Sequence, residues 1–159
     1  MAQVTLDAID RRILDNLQRN GRLTNLELAD RVGLSPSPCL RRVRALEEAG
    51  IIEGYAAVLN RKKLGLGMTV FILMKREWQS DAEAAAFREQ VTAMPEVVAC
   101  HTTSGEHDFM IQAVVADLEA YRRFALERLM RMSGVKDIRS SFAIETVKEN
   151  GPLPLRHLG

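Results

Sequence analysis

The sequence has 159 residues, of which 47% are hydrophobic and 27% charged. That is the mix of an ordinary globular protein and excludes a disordered or fibrous chain. The net charge of +1 excludes a globally basic nucleic-acid coat, so any grip on phosphate must come from a local cluster. Two cysteines, Cys39 and Cys100, are too few for a disulfide scaffold and fit a reducing cytoplasmic setting.

In chain order, Leu6, Ile9, Ile13, Leu14 and Leu17 recur at helical spacing and predict a first helix, ended by Asn20-Gly21. Thr24 with Glu27 is a capping-box pair opening a second helix, whose buried side is Leu28, Ala29 and Val32 and whose stop is Gly33. Ser35 is placed to cap a third helix with Pro36 at its first position and Pro38 within its first turn. Leu40, Val43 and Leu46 are expected to point inward, and Gly50 ends the helix. Residues 51–59 read as a short extended hairpin turning at Gly54, and the polar, glycine-punctuated stretch 61–67 as a linker.

Beyond it the period alternates. Residues 68–75 read as a strand, 81–93 as a helix, 97–103 and 109–116 as two strands around a tight turn, 118–132 as a helix and 135–147 as the last strand. The order βαββαβ is the ferredoxin-like arrangement. The expected architecture is therefore α+β: a winged-type helix-turn-helix domain over 1–60, the linker 61–67, a ferredoxin-like domain over 68–148 and a loosely ordered, proline-rich tail over 149–159. No apolar run approaches the roughly 18 residues of a membrane span, which excludes a helical membrane anchor.

Three close-set helices with a tight turn before the third form a helix-turn-helix pattern. Between Arg31 and Leu46 there are four arginines and no acidic residue. Ser37, Arg41, Arg44 and Glu48 fall on one face of the third helix, and Arg42 flanks it. Small hydroxyls at a helix start admit it closely to a major groove, and arginines one turn on can pair bidentately with guanine or clamp phosphate. The candidate DNA contacts are Thr24, Ser35, Ser37, Pro38, Arg41, Arg42 and Arg44. The plainer alternative is a solvated basic face.

Other chemistry finds little support. Cys100, His101 and His107 do not have a zinc-ligand spacing, and Cys100 reads as a small core residue. Cys39, near a helix start and arginines, could be a redox switch, with packing the simpler role. No nucleophile triad, phosphate loop or dinucleotide fingerprint is present, so an enzyme is not expected, and neither a metal nor another cofactor is.

The segments LDAIDRRILDNLQRNGRLTNLELADRVGLSPSPCLRRVRALEEAGIIEGYAAVLN, VACHTTSGEHDFMIQAVVADLEAYRRF and GVKDIRSSFAIETVK closely resemble the Lrp/AsnC (leucine-responsive/asparagine-responsive, feast/famine) transcription regulators. The resemblance covers essentially the whole chain. It implies that the second domain both senses an amino-acid effector and oligomerises, pairing into dimers and on to tetramers or octamers, with the effector bound between dimers. The turn Ser104-Gly105-Glu106-His107-Asp108 matches the family's Gly-x-x-Asp effector turn, and Arg139-Ser140-Ser141 its partner lining. Ser stands where the family often has Thr, and His107 where it often has an aromatic residue.

The turn also has a physical rationale: Gly105 lets backbone approach a small ligand, turn N–H groups can hold a carboxylate, and Asp108 can accept from an ammonium. Without the resemblance, a plain polar hairpin turn explains it as well. The expected protein is thus a cytoplasmic, nucleoid-associated regulator with double-stranded DNA, itself and an amino acid as partners. The alternatives are an architectural DNA-wrapping protein with little sequence choice and an amino-acid-binding enzyme.

Overall fold

A computed structural model describes residues 6–77 and 80–157. They form two compact units: residues up to Val58 together with Lys148 onward, and Leu59–Val147.

The first unit is built on three helices, α1 (Ala8–Leu17), α2 (Asn25–Val32) and α3 (Pro36–Glu48). Local sequence sets their ends. Asp7 caps α1 by accepting from the N–H groups of Ile9 and Asp10, while the Asp10 carboxylate accepts from Asp7 N–H. Thr24 and Glu27 make the same reciprocal pair at α2. Gly33, at φ +73°, reverses the chain from α2 into α3 where a side chain would be strained. Ile13, Leu28, Ala29, Val32, Cys39 and Leu46 form the core, with Leu6, Ile9, Leu14 and Leu17 packed around it as the spacing predicts. Full burial of Ile13 alone contributes about 1.5–3 kcal/mol.

Three expectations are corrected here, and for Cys39 the simpler role, packing, is the one seen. The inward stripe of α3 is Cys39, Val43 and Leu46, while Leu40 is exposed, so only the first member of the expected stripe moves, by one position. Residues 51–59 form no hairpin. Ile51 and Ile52 instead donate back to Leu46 O and pack on the core, and Val58 and Leu59 stand exposed with no strand beside them. The tail does not trail loosely: Leu153 is hydrogen-bonded to Gln18 of α1. Cys39 is fully buried, and burial raises its thiol pKa, the reverse of a helix-activated thiolate.

The second unit is a four-stranded antiparallel sheet in the order β2-β3-β1-β4, with β1 (Met68–Arg76), β2 (Val97–Thr102), β3 (Phe109–Val115) and β4 (Val135–Phe142). Helices α4 (Asp81–Thr92) and α5 (Leu118–Arg123) start at the caps Ser80 and Asp117. Val70, Ile72 and Met74 alternate toward the helices with Phe109, Ile111 and Ala113, against Phe87, Val91, Phe124 and Leu129. The expected helix to Met132 is not uniform. After α5 it widens into a π-helical turn (Phe124–Arg128) and tightens into a 3-10 turn (Leu129–Arg131). Phe124 and Leu129, five residues apart and both fully buried, are stacked on the core by that wider turn. β4 ends at Phe142 rather than Val147: its pairing with β1 stops opposite Val70, Ala143 N–H makes a last bond to Thr69 O, and Ile144 and Val147 lie bare. Cys100 faces α4 but is exposed, since β2 is an edge strand that the helix only partly covers.

Two consequences are measurable. A thiol reagent should label Cys100 in the native protein and Cys39 only after unfolding; comparable native rates at both would contradict the packing. The two capping boxes predict an acid limit. Asp7 is held below its ordinary 3.8, chiefly by the Asp10 N–H, and Glu27 below its ordinary 4.5, chiefly by the Thr24 N–H. Because the folded-state values are depressed, the unfolded chain binds protons first. The stabilisation is present above those ordinary values and is lost as pH falls below them. The melting-temperature gap between the wild type and an Asp7→Asn, Glu27→Gln variant should therefore be present at neutral pH and close below about pH 3. A gap of constant size would refute the assignment.

Candidate DNA-binding face and effector turn

Helix α3 carries Ser37, Arg41, Arg44 and Glu48 exposed along one face, as the spacing predicts. Among the described residues Arg41 and Arg44 make no ion pair. Leu40 belongs to the same face, a residue that sequence reading placed in the core. Its spacing of three from Ser37 and four from Arg44 was the available signal. Ser35 sits at the N-cap, but its hydroxyl makes no cap hydrogen bond, and Pro36 occupies the first turn. Pro38 is half-buried beneath it.

Two of the predicted DNA-contacting residues are otherwise engaged. Arg42 donates through Nη1 to Asp7 Oδ2 and Asp10 Oδ1, both at 2.8 Å, which braces α3 against the start of α1. These carboxylates raise its pKa, Asp10 foremost. With solvent reaching Asp7, the pair is screened and its effect is mainly positional. The Thr24 hydroxyl donates to Glu27 Oε2 and accepts from Glu27 N–H, so it serves the α2 cap beside a negative charge. Asn25 Nδ2 donates to Pro36 O at 2.8 Å, fixing the start of α3 on the start of α2.

In the second unit the turn 104–108 is stitched to the end of β1. Asp108 N–H donates to Met74 O at 2.9 Å, and Asp108 Oδ2 accepts from Arg76 N–H at 3.0 Å, leaving its other oxygen for a further donor. Thr103 N–H donates to Asp108 O and the Thr103 hydroxyl to His107 O, closing the turn. Gly105, at φ +113°, takes the backbone through a region closed to side chains. Behind Asp108 the Arg76 guanidinium lies 4.5 Å from the Phe109 ring centre, where burial lowers its pKa and the Asp108 charge opposes that. Ser104, Gly105 and Glu106 are exposed, and His107 and Asp108 half-buried. Glu106 reaches Arg139 of β4 at 3.5 Å.

The two predicted serines part company. Ser140 pairs with Ile72 and faces the helices, where its hydroxyl is hydrogen-bonded to the Tyr121 hydroxyl. Ser141 pairs with Phe71 on the open face that also carries Arg139. Successive strand residues point oppositely, so only one of the two can line a pocket on the open face.

The winged helix-turn-helix DNA-binding family model matches residues 6–53, and the Lrp/AsnC ligand-binding-domain model matches residues 69–153. The leucine-responsive regulatory protein of Rhizobium meliloti is 44% identical over 94% of this chain and 96% of its own. That of Escherichia coli K12 is 41% identical over 95% and 92%. A transcriptional regulator from Neisseria meningitidis, solved in complex with L-Met, superposes with a TM-score of 0.93 at 45% identity, covering 97% of this chain and 99% of that one. An AsnC-family regulator from Agrobacterium tumefaciens gives 0.91 at 36% identity over 96% and 99%. With a DNA-binding helix-turn-helix unit and a ligand-binding α+β unit in one chain, this protein belongs to the Lrp/AsnC family of transcriptional regulators.

Proposed function

We propose that residues 1–60 and the tail bind double-stranded DNA through the Ser37, Leu40, Arg41 and Arg44 face of α3, and that residues 68–148 bind an amino acid at the turn 104–108. The observation that carries the first half is that face: exposed, basic, and backed by a rigid three-helix core. Arg41 and Arg44 supply bidentate or phosphate contacts, Ser35 and Ser37 donate to phosphate, and Leu40 offers methyl groups to thymine. Arg42 and Thr24 position the helices rather than read bases. The site would place the protein at the nucleoid.

For the effector, Gly105 and Asp108 suit a carboxylate and an ammonium, with Ser141 and Arg139 on the adjoining face. The names of the relatives and the L-Met complex of the Neisseria protein favour an uncharged, leucine- or methionine-sized amino acid. Exposed Phe71 and Met110 on the open sheet face, with Ile144 and Val147, supply apolar surface for pairing with further copies. The effector then acts by favouring one assembly and so one spacing of DNA-binding heads.

The test is a melting series with single amino acids. Leucine or methionine at a hundred times its dissociation constant should stabilise the protein by about 2.7 kcal/mol, with aspartate and lysine inert. A flat response to all amino acids would remove the sensing half of the reading while leaving the DNA-binding half standing.

A further inference from the structure

The C-terminal segment is treated by the fold as a ligand. Leu14 and Leu17 of α1, with Ile51, Ile52 and Tyr55, form one wall of an apolar groove, and Leu153 and Leu155 form the other, with Gln18 beside them; a cavity of about 410 Å³ remains between the two walls. Gln18 Oε1 accepts from Leu153 N–H at 2.8 Å, and Gln18 Nε2 donates to Leu153 O at 3.2 Å. One carboxamide thus satisfies both backbone groups of one residue, as a neighbouring strand would. Leu153 is flanked by Pro152 and Pro154, which have no N–H, so its amide is the sole backbone donor of that tripeptide and Gln18 takes it.

We propose that this groove is a peptide-binding site whose ligand is the chain's own Pro152-Leu153-Pro154-Leu155 segment, read through Gln18. Tyr55 is held from the helical side: its hydroxyl donates to Glu47 at 3.0 Å, and a Cβ at Gly21 would lie 3.2 Å from its ring, so a larger residue at 21 would make the ring shift. The ligand is preorganised, because each proline fixes its own φ and Pro154 holds Leu153 extended, which lowers the ordering cost of docking. Leu153 remains 71% exposed, so the segment is a docked strap rather than core.

The chain leaves the helical unit after Val58 and re-enters it at Lys148. The covalent connection through Lys148 keeps the segment at high effective concentration for docking. The outer side of the segment borders Arg11, Arg19 and Arg156 with Asp15, a set of mainly one sign. The docking proposed stands on the two Gln18–Leu153 hydrogen bonds, and it does not rest on the DNA or effector reading.

Hydrogen exchange on the full chain tests it. The Leu153 amide should be protected, and Gln18→Ala should abolish that protection with the protein still folded by circular dichroism. An unprotected Leu153 amide in the wild type would overturn the proposal. A labelled peptide of residues 149–157 should bind the chain truncated after Asn150. Gln18→Ala in that truncated chain should weaken it about tenfold or more, because two hydrogen bonds are removed. Equal binding by the Gln18→Ala protein would refute the assigned hydrogen bonds. When Gln18→Ala chains are mixed with truncated chains, Leu153 should stay unprotected; protection restored by mixing would show the segment crossing between copies, against the in-chain docking proposed.

Discussion

Replacing Arg41 and Arg44 together by alanine is expected to lower affinity for a specific operator by roughly 30-fold to 10⁴-fold, from about 1–3 kcal/mol for each well-formed base contact. Arginines that touch phosphate instead would reduce the salt slope by about 0.9 for each phosphate no longer neutralised, with weakening uniform across sequences. The two roles separate on one gel series: base contacts relax specificity at a position, whereas phosphate contacts flatten the dependence on salt. Arg→Lys at either position keeps the charge but loses the planar fork, so a base-reading arginine should not be rescued by lysine. Arg42→Ala should behave differently. It removes the brace between α1 and α3, so its effect should appear first in the melting temperature and only secondarily in binding. Unchanged affinity and salt slope in the Arg41, Arg44 double variant would remove α3 as the reading element.

Asp108→Asn is expected to abolish the effector-induced rise in melting temperature while leaving the unliganded protein near wild-type stability. The reason is the double duty of this carboxyl group. One oxygen accepts from Arg76 N–H and holds the turn on β1, which an Asn carbonyl oxygen can still do. The negative charge for a ligand ammonium is what the amide lacks. Asp108→Ala should lose both functions. It strands the half-buried Arg76 N–H, at about 1–3 kcal/mol, and so lowers the unliganded melting temperature as well. Using Asn and Ala together distinguishes a damaged turn from a missing ligand partner. An effector shift that survives in Asp108→Asn would place the amino acid elsewhere.

What could be read from residues alone was whatever depends on close neighbours. The cap of α2, the Gly33 reversal and the strands β1 and β3 rest on residues a few positions apart, and they stand where spacing puts them. The exposed face of Ser37, Arg41 and Arg44 follows from helical period. Leu40 was misplaced because a hydrophobic stripe read by period is uncertain by one position; Cys39 and Leu40 are both apolar, and only packing against α1 and α2 chooses between them.

The sequence by itself therefore determined the elements, their order and the family resemblance. The tertiary structure decided which of three arginines on α3 is spent on a brace, because its partners Asp7 and Asp10 lie 35 and 32 residues away. It decided that β4 stops pairing at Phe142, opposite Val70, and that Ser140 and Ser141 serve opposite faces of the sheet. It also decided that the tail docks on α1 across 135 residues of chain. Each of these depends on a partner distant in sequence, and no local propensity encodes an interaction that exists only once the chain has closed the intervening loop.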